Sequence, residues 1–111
     1  MALWTENSPQ KGMREVRLRP AAKRDIESIA DYTIAQWGAE QARAYIDAIR
    51  CKTESLSETA LRHARCPEIA PGFRKARSGS HLIYYRVEGD LVDVIRILHQ
   101  RMDAKSDSLD D

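Results

Sequence analysis

The sequence predicts an α+β domain in the order strand-helix-helix-strand-strand-strand, with a helical hairpin packed on one face of a mostly antiparallel sheet. Three observations carry this prediction. Apolar residues recur at three- and four-residue steps through residues 20–56, and the rhythm breaks at Gly38. Beyond Gly72 the pattern changes to short strand-like runs separated by two turn sequences, Ser78-Gly79-Ser80 and Glu88-Gly89-Asp90. The last of these runs, residues 91–98, reads Leu-Val-Asp-Val-Ile-Arg-Ile-Leu, rich enough in branched aliphatics for a strand largely buried on both faces.

Each element can be justified in turn. Residues 14–18 form a short strand with Val16 and Leu18 on one side, and the flanking Arg14, Arg17 and Arg19 suit a sheet edge, where charge discourages stray pairing. Pro20 fits the first turn of a helix, where a missing N–H costs nothing. That helix runs to Trp37 on a stripe of Ala22, Ile26, Ile29, Ala30, Thr33 and Trp37, and Gly38 supplies a left-handed stop. A second helix from about Glu40 to Leu56 or slightly beyond carries Ala42, Tyr45, Ile46, Ile49, Thr53 and Leu56 inward, with Arg43, Asp47, Arg50 and Glu54 as a charged ladder outside. So short a connection makes the helices antiparallel neighbours. Residues 58–72, with Pro67, Pro71 and Gly72, read as a loop. Residues 73–77, 81–87 and 91–98 then form a meander.

A chain of 111 residues has room for one core. Residues 1–12 lack periodicity and read as a flexible extension, residues 13–103 as the single domain, and residues 104–111 as an acidic tail. The composition, 42% hydrophobic and 32% charged with no long apolar run, argues against a membrane span, and without a signal-like apolar core the expected location is the cytoplasm. Cys51 and Cys66 form no metal or redox pattern, and His63, His81 and His99 have no ligand spacing, so free thiols, no metal and no cofactor are expected.

The overall charge is only +1, but it is unevenly placed. The meander carries Arg74, Lys75, Arg77, Arg86, Arg96 and Arg101 against Glu88, Asp90 and Asp93, whereas the tail sets Asp103, Asp107, Asp110 and Asp111 against Lys105. Such a basic sheet, with His81, Tyr84 and Tyr85 among its cations, suits phosphates and bases, an acidic protein, or simple solvation. His81 or His99 with Arg74 or Arg96 supplies the residue types for acid–base cleavage of RNA, but nothing in their spacing demands it. Trp37 and Tyr45 suit packing of the hairpin, or a partner's face. The buried final strand delivers His99, Gln100, Arg101, Met102 and Asp103 at its exit, which is either a solvated end or a working surface held by a rigid element.

Four groups of residues, in order, give the chain a resemblance to a known family. They are Leu18-Arg19-Pro20-Ala21-Ala22 with Asp25-Ile26; Ile29 and Tyr32 leading to Trp37-Gly38, Gln41-Ala42 and Tyr45; Pro71-Gly72-Phe73-Arg74-Lys75 with Ser80-His81; and Tyr84-Tyr85-Arg86-Val87 running to residues 96–103. Over residues 16–103 the chain resembles the ParE branch of the ParE/RelE toxins of bacterial toxin–antitoxin pairs. The resemblance implies the same strand-helix-helix-meander fold and a toxin that poisons DNA gyrase without turnover, so that it has no catalytic residues. It implies neutralisation by a ParD-type ribbon-helix-helix antitoxin in a hetero-oligomer such as a heterotetramer, with DNA contacted mainly through the antitoxin. Arg96, His99, Gln100, Arg101, Met102 and Asp103 become the candidate target-binding residues. Arg74, Lys75, Arg77, His81 and Arg86 become a target or antitoxin contact, as do Trp37 and Tyr45 if they are not hairpin packing. RelE-type relatives cleave messenger RNA on the ribosome, usually with a Tyr near the C-terminus; here no Tyr follows Tyr85, which weakens that alternative and leaves a non-enzymatic inactive member of the family as the other.

Overall fold

The computed structural model describes residues 13–67 and 69–102. The expected extension over residues 1–12, Asp103 and the acidic tail lie outside these described residues. The chain forms β1 (Glu15–Leu18), α1 (Pro20–Trp37), α2 (Ala39–Thr59), a short 3-10 turn (Ala60–Arg62), β2 (Ala64–Arg65), β3 (Phe73–Ser78), β4 (His81–Glu88) and β5 (Leu91–His99). The sheet order is β1-β5-β4-β3-β2, antiparallel except for β1 and β5, which are parallel. The α+β class and the hairpin-on-sheet arrangement are as the sequence predicts. Among the described residues, no helix is long and apolar enough to cross a membrane.

Pro20 opens α1 behind an extended Arg19. Gly38 joins the helices with φ 95° and ψ 166°, so it adopts a glycine-only extended conformation instead of the expected left-handed helical stop. Its N–H donates to the Ile34 carbonyl and its own carbonyl receives the Ala42 N–H, so one residue closes α1 and opens α2.

α2 continues to Thr59. The hydroxyls of Ser55 and Thr59 donate to the Lys52 and Ser55 carbonyls and so fold back onto the helix. Residues 58–72 are not simply a loop. Ala64 and Arg65 pair with Lys75 and Arg74, adding a fifth strand.

The helices cover one face of the sheet over a core that includes Val16, Leu18, Ile29, Ile49, Leu56, Ile83, Tyr85, Val94 and Ile97. The Tyr85 hydroxyl donates to the Ala60 carbonyl at 2.5 Å, and burial pushes its pKa up to about 12. The other face carries a smaller cluster of Cys66, Phe73, Tyr84, Ile95 and Leu98, with Ile69, Ala70 and Leu82 packed against it. The segment after β2 therefore covers a face that the helices leave open. Cys66 is buried and Cys51 exposed, and neither is in a disulfide.

Two ion pairs fix β5. Arg19 forks onto the buried Asp93, with Nη2 2.9 Å from Oδ2. Where β1 ends, the Arg19 N–H still donates to the Val94 carbonyl; further along, Asp25 on α1 takes over the edge of β5. Its Oδ2 accepts the Ile97 N–H at 2.9 Å, and both of its oxygens accept from Arg96, at 2.7 and 2.9 Å. A carboxylate thus stands in for the missing strand. Because Tyr84 pairs with Arg96 and Tyr85 with Val94, Ile95 is the extra residue of a bulge, which re-aims the last part of β5.

Candidate functional site

The register of β4 and β5 places His81 directly opposite His99 at the end of the sheet, their rings edge to face with centroids 5.2 Å apart. Both flank a cavity of about 290 Å³ beneath the tip of the helical hairpin, lined also by Tyr32, Thr33, Trp37, Gln41, Tyr45 and Ser80. Trp37 corrects the expected stripe: it is 66% exposed, as is Tyr32, because the end of α1 overhangs the cavity where no strand lies beneath it. Tyr45 is half-buried at the core edge. Its hydroxyl accepts the Ser80 N–H at 2.9 Å and lies 2.7 Å from His81 Nδ1.

The exit from β5 is ordered by short bonds to this end of the sheet. The Gln100 N–H donates to the Ser80 carbonyl at 2.8 Å, the Arg101 N–H to His99 Nδ1 at 3.1 Å and the Met102 N–H to the His99 carbonyl at 2.9 Å. Arg77, at the end of β3, donates through Nη2 to Gln100 Oε1 at 2.6 Å. Arg101 and Met102 are exposed. Asp103, the last of the proposed exit residues, lies outside the described residues.

Trp37, Tyr45, Arg77, His81 and residues 99–102 are therefore brought together, although they come from five elements and the segment after β5. The other cations are elsewhere. Arg96 is tied to Asp25. Arg74 Nη1 donates to the carbonyls of Leu61 and His63, and so ties β3 to the turn after α2. Lys75 is half-buried opposite Tyr84. Arg86 lies over the Phe73 ring at 5.5 Å, with Nη2 3.9 Å from Asp93; its Nε is 3.4 Å from Glu88 without hydrogen-bond geometry. The basic sheet is divided between faces and ends, as period-2 alternation requires.

Burial lowers the pKa of His81, the nearby His99 lowers it further and Asp25 partly opposes this, so the ring is neutral at physiological pH. Burial, Lys52 and Arg74 lower His63 in the same way. Among the described residues, no three His, Cys, Asp or Glu side chains group as metal ligands. Aromatic and imidazole walls beside a guanidinium and a thioether suit a protein surface that carries apolar and acidic groups. A second cavity of about 280 Å³, lined by Leu61, Arg65, Gly72, Arg74 and Val87, was invisible in the sequence, because its geometry depends on the two-residue strand β2.

Residues 16–104 match the family described as the ParE toxin of the type II toxin-antitoxin system, parDE. The chain belongs to this family. It is 41% identical over 88 residues to Toxin ParE1 of Mycobacterium tuberculosis, covering 78% of this chain and 90% of the relative. It is 36% identical over 94 residues to Toxin ParE1 of Caulobacter vibrioides, covering 85% and 97%. The fold is similar to a chain of the chromosomal ParDE system of P. aeruginosa, with a TM-score of 0.70 and 23% identity over 79% of this chain and 97% of that one. It is also similar to a chain of the RelBE2 toxin-antitoxin complex of M. tuberculosis, with a TM-score of 0.61 and 21% identity over 78% and 98%. The family match spans both ends of the β5 exit and the whole helical hairpin.

Proposed function

We propose that this ParE-family toxin disables DNA gyrase by binding it, without turnover, and that a ParD-type ribbon-helix-helix antitoxin holds it in check in a hetero-oligomer such as a heterotetramer. In that assembly DNA is contacted mainly through the antitoxin. The observation that carries the reading is the β5 exit: a buried strand ends at His99, which shares a cavity with the exposed Trp37 and Tyr32, and is followed directly by the exposed Arg101 and Met102. Arginine, methionine and aromatic side chains on a rigid support are what a protein-binding surface enriches. Family membership supplies the toxin role, and the ParDE and RelBE2 neighbours come from toxin-antitoxin systems, which supports an antitoxin partner.

A second reading, ribosome-dependent cleavage of messenger RNA as in RelE-type relatives, draws on the His81–His99 pair. It is disfavoured by the bonding of that pair. His81 Nδ1 meets Tyr45, His99 Nδ1 receives the Arg101 N–H, and Arg96 and Arg74 are committed to Asp25 and to backbone carbonyls. The purified toxin is to be added to gyrase supercoiling and DNA-cleavage reactions, and in parallel to a translating ribosome scored for cut message. The expected result is loss of supercoiling with accumulation of cleaved DNA. Changing Arg101 and Met102 together to Ala should weaken this by about 30-fold or more, the scale of losing a central contact. Message cleavage without gyrase inhibition overturns the reading.

A further inference from the structure

We propose that Tyr45, on α2, is the positioning residue of the β5 exit, holding Arg101 and Met102 in their working geometry through the turn at Gly79 and Ser80 and through the His81–His99 pair. The proposal rests on the reading that this exit is the target-binding surface.

The connection is continuous. With the Ser80 N–H at its oxygen, the Tyr45 hydroxyl can direct its own proton to His81 Nδ1, which leaves the neutral imidazole with its N–H at Nε2. The lowered pKa of His81 favours that neutral form. The His81 ring meets His99 edge to face, and His99 receives two N–H groups from the exit, Arg101 at Nδ1 and Met102 at its carbonyl. The third, from Gln100, goes to the carbonyl of Ser80, whose amide Tyr45 already holds. All three backbone N–H groups of residues 100–102 therefore end on Ser80 or His99.

The seating of the turn on Tyr45 is specific. Gly79 has φ 59°, and a Cβ there would lie 2.6 Å from Tyr45 Cε1 and 2.8 Å from its hydroxyl oxygen. The turn rests directly on the ring, and only glycine allows the approach. The role matters because residues 100–102 follow the last strand. An exit left loose would have to be ordered at the moment of binding, and that entropy would subtract from affinity. A single hydroxyl in the helical layer thus fixes a surface at the end of the sheet.

The test uses the full chain with Tyr45→Phe, which keeps the ring against Gly79 and removes both hydroxyl bonds. Amide hydrogen exchange at residues 100–102 should accelerate by about tenfold while core amides such as Ile83 and Val94 keep their rates, the pattern of local opening. The toxin concentration that half-inhibits gyrase supercoiling should rise by a similar factor. At His99, Asn offers a side-chain oxygen to the Arg101 N–H and should restore protection and inhibition that Ala loses, a rescue that general destabilisation does not produce. Unchanged exchange at Arg101 in Tyr45→Phe overturns the proposal whatever gyrase does. Faster exchange with unchanged inhibition overturns the link to activity. A wild-type protein inert toward gyrase refutes the proposed function instead, and exchange alone then decides the positioning role. Should Tyr45→Phe fail to fold, the Asn and Ala variants of His99 decide it.

Discussion

Asp25 offers the sharpest quantitative test of the fold that carries the site. Its side chain is 13% exposed and its partner Arg96 25% exposed, and it accepts two guanidinium N–H groups and the backbone N–H of Ile97. Asp25→Ala removes both oxygens, and with them all three hydrogen bonds, at once. Breaking a fully buried pair costs about 3–5 kcal/mol, and an orphaned backbone donor about 1–3. Arg96 retains partial access to water, which discounts the first figure, so a net loss of about 2–4 kcal/mol is expected. For a domain of this size that lowers Tm by roughly 10–20 °C. Asp25→Asn keeps a carbonyl oxygen for Ile97 and should lose about half as much. The assay is urea unfolding followed by circular dichroism, with Asp25→Ala and Arg96→Leu combined in a double-mutant cycle. A loss under about 0.5 kcal/mol, or a cycle with no coupling, would refute the idea that a carboxylate replaces the missing strand at this edge.

Further outcomes follow from the same geometry. Gly79→Ala should destabilise the protein more than Gly89→Ala: both residues have φ near 60°, but only Gly79 would drive a Cβ into Tyr45, so the difference in denaturant midpoint reads that contact alone. Ile49→Ala, at a fully buried site, should cost about 2–5 kcal/mol in chemical unfolding, and Ile26→Ala, at a half-buried one, clearly less. For pH, the folded pKa of His81 lies below its ordinary 6.5, so the unfolded chain binds more protons in that range and stability falls as pH drops below about 6.5. Stability measured between about pH 5 and 7 should therefore have a shallower slope in His81→Gln, and an unchanged slope contradicts the burial argument.

Most of the fold could be read from local pattern. Period-3.6 stripes, Pro20 and Gly38 defined the hairpin, and the turns at Gly79 and Gly89 defined the meander, because those signals act within a few residues. What escaped depended on distance or on small departures from regularity. The parallel partnership of β1 with β5 leaves no mark in either strand. Thr59 looked like a loop residue until its surroundings were known: its hydroxyl bonds back along the helix to the Ser55 carbonyl. The same held for Cys66, Ile69 and Ala70, whose apolar contacts lie on the second sheet face. The site was half legible. The residue types at the exit and the presence of Trp37, Tyr45, His81 and His99 were visible, but their convergence needed the β4–β5 register. Arg96 could not be recognised as Asp25's partner without the bulge at Ile95 and the course of α1.

The partnership of β1 with β5 also orders events in time. Glu15 pairs with Leu91, so β1 waits for a strand synthesised 76 residues later, and the sheet cannot close before then. At roughly 5–20 residues per second that interval is on the order of ten seconds. During it the helical hairpin can form from local contacts, whereas the His81–His99 pair and the segment beyond it cannot exist. The end of the sheet where His81 meets His99 therefore assembles late, onto a helical hairpin that has already had time to fold.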